Sequence, residues 1–83
     1  MTRRPPRVKR TPEQALLFAQ TRNMDAAVFA MLQEKRISMN QRDVAGDRLT
    51  QARLLADAGN VGEARLIVTR VATLIARWRG QND

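Results

Sequence analysis

The first ten residues of the chain, MTRRPPRVKR, concentrate positive charge. They hold five of the fifteen basic side chains and none of the eight acidic ones. The basic residues are Arg3, Arg4, Arg7, Lys9 and Arg10. Guanidinium and ammonium groups form charge-assisted hydrogen bonds to phosphate. Because so dense a positive run repels itself and buries nothing, we expect residues 1–10 to be a disordered basic arm that contacts nucleic acid.

A second group of basic residues lies between residues 61 and 79. Its members are Arg65, Arg70, Arg77 and Arg79. Arg70 and Arg77 are seven positions apart, so on a helix they share a face and lie about 10 Å apart along the axis. The alternative interpretation is a solvated face that only keeps the protein soluble. Together with the arm, the pattern favours a second zone of phosphate contact.

Residue types suited to catalysis are scarce. The chain has no His, no Cys and no Tyr, and its single serine is Ser38. The carboxylates are scattered, and several adjoin a basic residue, as Asp43 adjoins Arg42 and Asp47 adjoins Arg48, which is typical of a solvated helix surface. We therefore expect a protein that is not an enzyme, with no catalytic residues, no cofactor and no metal site.

Three stretches with helical periodicity must position these side chains. Each begins with a capping-box pattern, in which a short polar residue is followed three positions later by Gln or Glu. The pairs are Thr11 with Gln14, Ser38 with Gln41, and Asn60 with Glu63. The sequence therefore predicts an all-α three-helix bundle with helices at 12–36, 39–58 and 61–79, and a tail at 81–83. Poor helix formers at 21–25 leave open a division of the first helix, although one continuous helix is favoured.

Apolar stripes along the three stretches predict how they pack. The second stripe is rich in alanine, so its neighbours can approach closely. The third, which is the clearest, comprises Ala64, Ile67, Val68, Val71, Leu74, Ile75 and Trp78. Trp78 could stack on a base, but it continues this stripe, so core or partner contact is favoured. We expect Trp78, Phe29 and Met31 to contact a partner, and a stripe this apolar in so small a body predicts self-association.

The segment from Gly59 to Ala64 resembles the turn between the two helices of a tetratricopeptide repeat. Arg48 and Gln51 stand where that repeat has large apolar residues. The resemblance covers one unit, whereas such arrays need about three to be stable. It therefore implies a helical hairpin and not peptide binding. A DNA-reading helix-turn-helix is disfavoured, because Arg65 falls where the recognition helix needs an apolar core residue.

The sequence as a whole predicts a small basic accessory subunit of a nucleoprotein assembly, of the general build of phage, plasmid or ribosome-type components. Its partners would be DNA or RNA and a larger protein or complex, with a homo-oligomer as a further option. The rival hypothesis is a helical adaptor or inhibitor that docks on a larger protein through apolar helix faces. No apolar run approaches the roughly 20 residues that cross a membrane, and we expect a cytoplasmic location or a particle assembled there.

Overall fold

A computed structural model of the protein describes residues 10–80, and over this range it contains three α-helices and no strand. The helices are α1 (Pro12–Gln33), α2 (Met39–Asp57) and α3 (Val61–Gly80). The predicted all-α bundle is confirmed, and α1 is one continuous helix through 21–25. Of the arm predicted to be disordered at 1–10, only Arg10 is described; residues 1–9 and the predicted tail at 81–83 lie outside the described residues.

Side-chain caps start two of the three helices. The Gln14 N–H donates to Thr11 Oγ1 at 3.2 Å, and the Thr11 N–H donates to Gln14 Oε1 at 2.8 Å. Ser38 and Gln41 repeat this reciprocal arrangement, with distances of 2.8 and 3.1 Å. Both helices therefore begin at the predicted position, with backbone donors of the first turn satisfied.

The capping box predicted at Asn60 is wrong. A capping box needs the N–H of the first residue free to donate to the Glu side chain three positions later. The Asn60 N–H instead donates to the Leu55 carbonyl at 2.8 Å, which closes the end of α2. Within residues 10–80, the Asn60 side chain has no capping hydrogen bond, although α3 still begins directly after it.

The C-terminal ends of α1 and α2 are each followed by a residue whose backbone lies in the left-handed region. At α1, the Arg36 N–H donates to the Met31 carbonyl at 2.9 Å, and Lys35 has φ 61°. At α2, Gly59 has φ 90° and the same hydrogen-bond pattern recurs. This is the Schellman arrangement, in which the αL residue reverses the chain. The first helix therefore ends at Gln33, three residues earlier than predicted, and the reversal buries Ile37 in the core.

Contacts between elements fix the directions of the helices. The Gln14 amide donates to the Ala56 carbonyl at 2.7 Å, joining the start of α1 to the end of α2. Arg65, near the start of α3, lies 3.8 Å from Glu13 in the first turn of α1. Thus α1 and α3 are parallel and α2 is antiparallel to both. The start of α1, and with it the attachment point of the arm, lies at the opposite end of the bundle from Arg77 and Arg79.

The core runs between all three helices. Small residues of α2 and α3 allow the helices to approach closely there. They are almost completely buried, and they are Ala45, Ala52, Ala56 and Ala64. The predicted α3 stripe is buried or half-buried throughout. Thr21 is a buried polar residue that the apolar pattern missed, at 1% exposure. Its hydroxyl donates to the Phe18 carbonyl at 2.9 Å, so it carries no unsatisfied donor into the core.

Candidate nucleic-acid interface

Arg70 and Arg77 lie on one exposed face of α3. Their seven-residue spacing turns one only about 20° from the other around the helix axis. Both side chains are exposed, and neither forms an ion pair with any residue between 10 and 80. This pair has the positions expected from the sequence, and its charge is not neutralised by the described part of the protein.

Arg65 and Arg79 lie on the other side of α3, toward α1. Arg65 pairs with Glu13 at 3.8 Å, and both line a surface cavity of about 350 Å³ between α1 and α3. Arg79 lines a second α1–α3 cavity of about 280 Å³, beside Asn23 and Ile75. The four arginines of α3 therefore divide between two faces, and one of them is already paired with a carboxylate.

Arg10 is the only basic residue of the arm within the described part of the chain, and it contacts the bundle. Its Cζ lies 3.9 Å from the centroid of the Phe18 ring, a cation–π geometry. Its Nε lies 3.6 Å from Asp57 Oδ1. These contacts give Arg10 the role of an anchor where the arm meets α1. Arg3, Arg4, Arg7 and Lys9, predicted to bind phosphate, lie outside the described residues.

Arg48 is a candidate that sequence reasoning missed, because Asp47 was taken to balance its charge. The two side chains lie on different sides of α2. Asp47 lines the groove toward α1, whereas Arg48 lines a cavity toward α3 together with Arg70. Consecutive helical residues point about 100° apart and do not face each other. That periodicity was the signal available in the sequence.

Two of the three residues predicted to contact a partner are buried in the core of the bundle. Met31 is 4% exposed and Trp78 is 8% exposed, and both pack in the core beside Leu49 and Val71. Buried there, Trp78 has no free face for a base to stack on. The apolar stripe that predicted self-association packs against α1 and α2, and its members are buried except Ile67 and Leu74, which are half-buried. Phe29 is 50% exposed and remains available.

Phe29 lies at a groove between α1 and α2 with a volume of about 520 Å³. Charges along this groove pair with one another. Arg53 lies 2.9 Å from Asp25, and Arg42 lies 3.3 Å from Asp43. Gly46 also lines the groove, and a Cβ there would meet no atom within 4 Å. The groove is thus roomy but nearly neutral, unlike the face that carries Arg48 and Arg70.

Residues 10–80 contain no group of three or more His, Cys, Asp or Glu placed to hold a metal ion. None of the helices described is long and apolar enough to span a bilayer. Comparisons of the chain with protein-family models, curated proteins and solved structures found no match.

Proposed function

We propose that this protein is a small, non-enzymatic nucleic-acid-binding subunit of a nucleoprotein assembly. It binds the phosphate backbone through the basic arm and through the face of α3 that carries Arg70 and Arg77. The observation that carries the proposal is the exposed Arg70–Arg77 face of α3, which forms no ion pair with residues 10–80, combined with four further cations at residues 3–9. Phosphate contacts of this kind give affinity with little sequence discrimination.

Charge pairing within the bundle supports this division of roles. Five of the seven acidic residues between 10 and 80 form an ion pair with a basic residue. Neither acid left over, Asp47 or Glu63, pairs with Arg70 or Arg77. An uncompensated cationic face attracts polyanions and releases their counterions on binding. The arm and this face should therefore contribute most of the free energy of nucleic-acid binding.

The experiment that tests the proposal is the salt dependence of binding to a labelled random duplex, measured by fluorescence anisotropy. Replacing Arg3, Arg4, Arg7 and Lys9 by Gln in the full-length chain should lower the log–log salt slope by about 3 to 4, because each neutralised phosphate contributes about 0.9. Changing Arg70 and Arg77 to Gln should lower it by about 1 to 2 more. The loss should be nearly equal for every sequence tested, because neither zone holds the fixed Asn or Gln pairs that read bases.

A matched control tests whether these reductions in slope arise only from the change in net charge. Arg22 is exposed on α1 and forms no ion pair with a described residue. Arg22→Gln should leave the slope within about 0.3 of the wild type, well under one phosphate. Absence of binding at 50 mM salt, or an unchanged slope in the arm variant, would contradict the proposal.

A second candidate function is a helical adaptor that docks on a larger protein. The observation in its favour is Phe29, which is half exposed beside the α1–α2 groove. Phe29→Ser should abolish capture of a protein partner from the native host if this function is correct, and should leave nucleic-acid affinity unchanged in either case. Copurification with a protein but with no material absorbing at 260 nm would favour the adaptor.

A further inference from the structure

Arg48 of α2 and Arg70 of α3 line the same shallow cavity on the α2–α3 face. The cavity has a volume of about 330 Å³, and its other lining residues are Thr69, Thr73 and Leu74. Arg48 and Arg70 come from different helices, 22 positions apart in the chain, and meet only because α2 and α3 pack antiparallel. We call this group of five residues the α2–α3 basic site.

No carboxylate of the described chain neutralises this site. Neither Arg48 nor Arg70 forms an ion pair with residues 10–80, and the adjacent Asp47 lines the opposite groove of α2. Two guanidinium groups at one cavity repel each other unless an anion lies between them. A phosphate accepts hydrogen bonds from several guanidinium donors at once. The site therefore carries two positive charges that no carboxylate of residues 10–80 balances.

The two threonines differ in what they can offer an anion. The Thr73 hydroxyl donates to the Thr69 carbonyl at 3.0 Å, so its only proton is already used. The exposed Thr69 hydroxyl can donate to a phosphate oxygen. Leu74, half-buried at the cavity, gives an apolar surface against which a sugar can rest. Two guanidinium groups, one hydroxyl donor and one apolar wall suit a nucleotide phosphate with its ribose or deoxyribose.

We propose that the α2–α3 basic site binds adjacent backbone phosphates of a nucleic acid. The interface is thus the α2–α3 face, which includes Arg48 and is extended along α3 by Arg77. Arg65 lies outside it, because it faces α1 and pairs with Glu13. This inference rests on the proposed nucleic-acid-binding function and specifies which face of the bundle performs it.

Single substitutions in the full-length protein test the site, with binding to a duplex DNA and an RNA of equal length measured between 50 and 200 mM salt. Arg48→Gln should lower the salt slope by about 0.9, which reduces the salt-dependent loss of duplex affinity across this range by about threefold. Arg70→Gln should lower the salt slope by the same amount, and the double variant should lower it by about twice that amount. The nucleic acid that shows these losses is the one the site accommodates.

Two controls carry the same change of charge at other positions. Arg65→Gln and Arg22→Gln should each leave the slope unchanged, and circular dichroism should show full helicity for every variant. If the wild type binds but Arg48→Gln behaves like Arg22→Gln, the α2–α3 basic site is refuted while the proposed function stands. If the wild type does not bind either nucleic acid at 50 mM salt, both fail. A loss in Arg65→Gln equal to that in Arg48→Gln would move the interface to the α1–α3 side.

Discussion

At the scale of single residues, the helix caps predict how much individual side chains contribute to the free energy of unfolding. Ser38→Ala removes a side-chain acceptor for the Gln41 N–H and should lower the free energy of unfolding by about 1 kcal/mol. Asn60→Ala is the matched comparison, because Asn60 precedes a helix without using its side chain as a cap, and it should cost less than about 0.5 kcal/mol. Urea unfolding followed by far-UV circular dichroism measures both, and equal losses would show that Asn60 caps α3 in solution.

The two αL residues give a pair of predictions with opposite sign. Lys35 holds φ 61° although it carries a Cβ, whereas Gly59 holds φ 90° without one. Lys35→Gly should therefore raise the free energy of unfolding by up to about 1 kcal/mol, and Gly59→Ala should lower it by about 1 to 2 kcal/mol. The urea midpoints of the two variants should move in opposite directions. A destabilised Lys35→Gly variant would mean that α1 does not end in this conformation.

At the scale of elements, Gly46 is a weak position inside α2. It lies in a regular helix, lines the α1–α2 groove, and leaves space for a Cβ with no atom within 4 Å. Gly46→Ala should raise the free energy of unfolding by about 0.5 to 1 kcal/mol, because alanine loses less backbone entropy in a helix. Thermal unfolding measures the gain. The variant should keep the wild-type salt slope, since Gly46 lies away from the α2–α3 face; a reduced slope would implicate the groove in binding.

Some features of the three helices could be predicted from the sequence, and others could not. Periodicity and caps predicted all three helices, and the α3 stripe is buried as expected. The end of α1 was misplaced because Lys35 gives no glycine signal for its αL turn. The burial of Met31 and Trp78 could not be predicted, because a sequence does not show how much of an apolar stripe is covered by neighbouring helices. Helical periodicity separates Arg48 from Asp47, but the position of Arg48 beside Arg70 depends on packing between helices and could not be predicted.

At the scale of the whole molecule, coverage of the α3 stripe changes the expected oligomeric state. Val71, Ile75 and Trp78 are buried by α1 and α2 within one chain. The large apolar side chains left exposed, such as Phe29, Leu54 and Leu66, come from three different helices and face away from this core. We therefore expect a monomer at tens of micromolar in the absence of nucleic acid. Sedimentation equilibrium of a tag-free sample measures this, and a stable dimer would contradict it.

The two short connections also have a consequence for folding kinetics. Only residues 34–38 separate α1 from α2, and only residues 58–60 separate α2 from α3. Most native contacts therefore join residues within a helix or across one tight reversal, and little loop entropy opposes their formation. Chains with such local topology fold in microseconds to milliseconds. This protein should therefore regain its native packing within milliseconds after a transient opening.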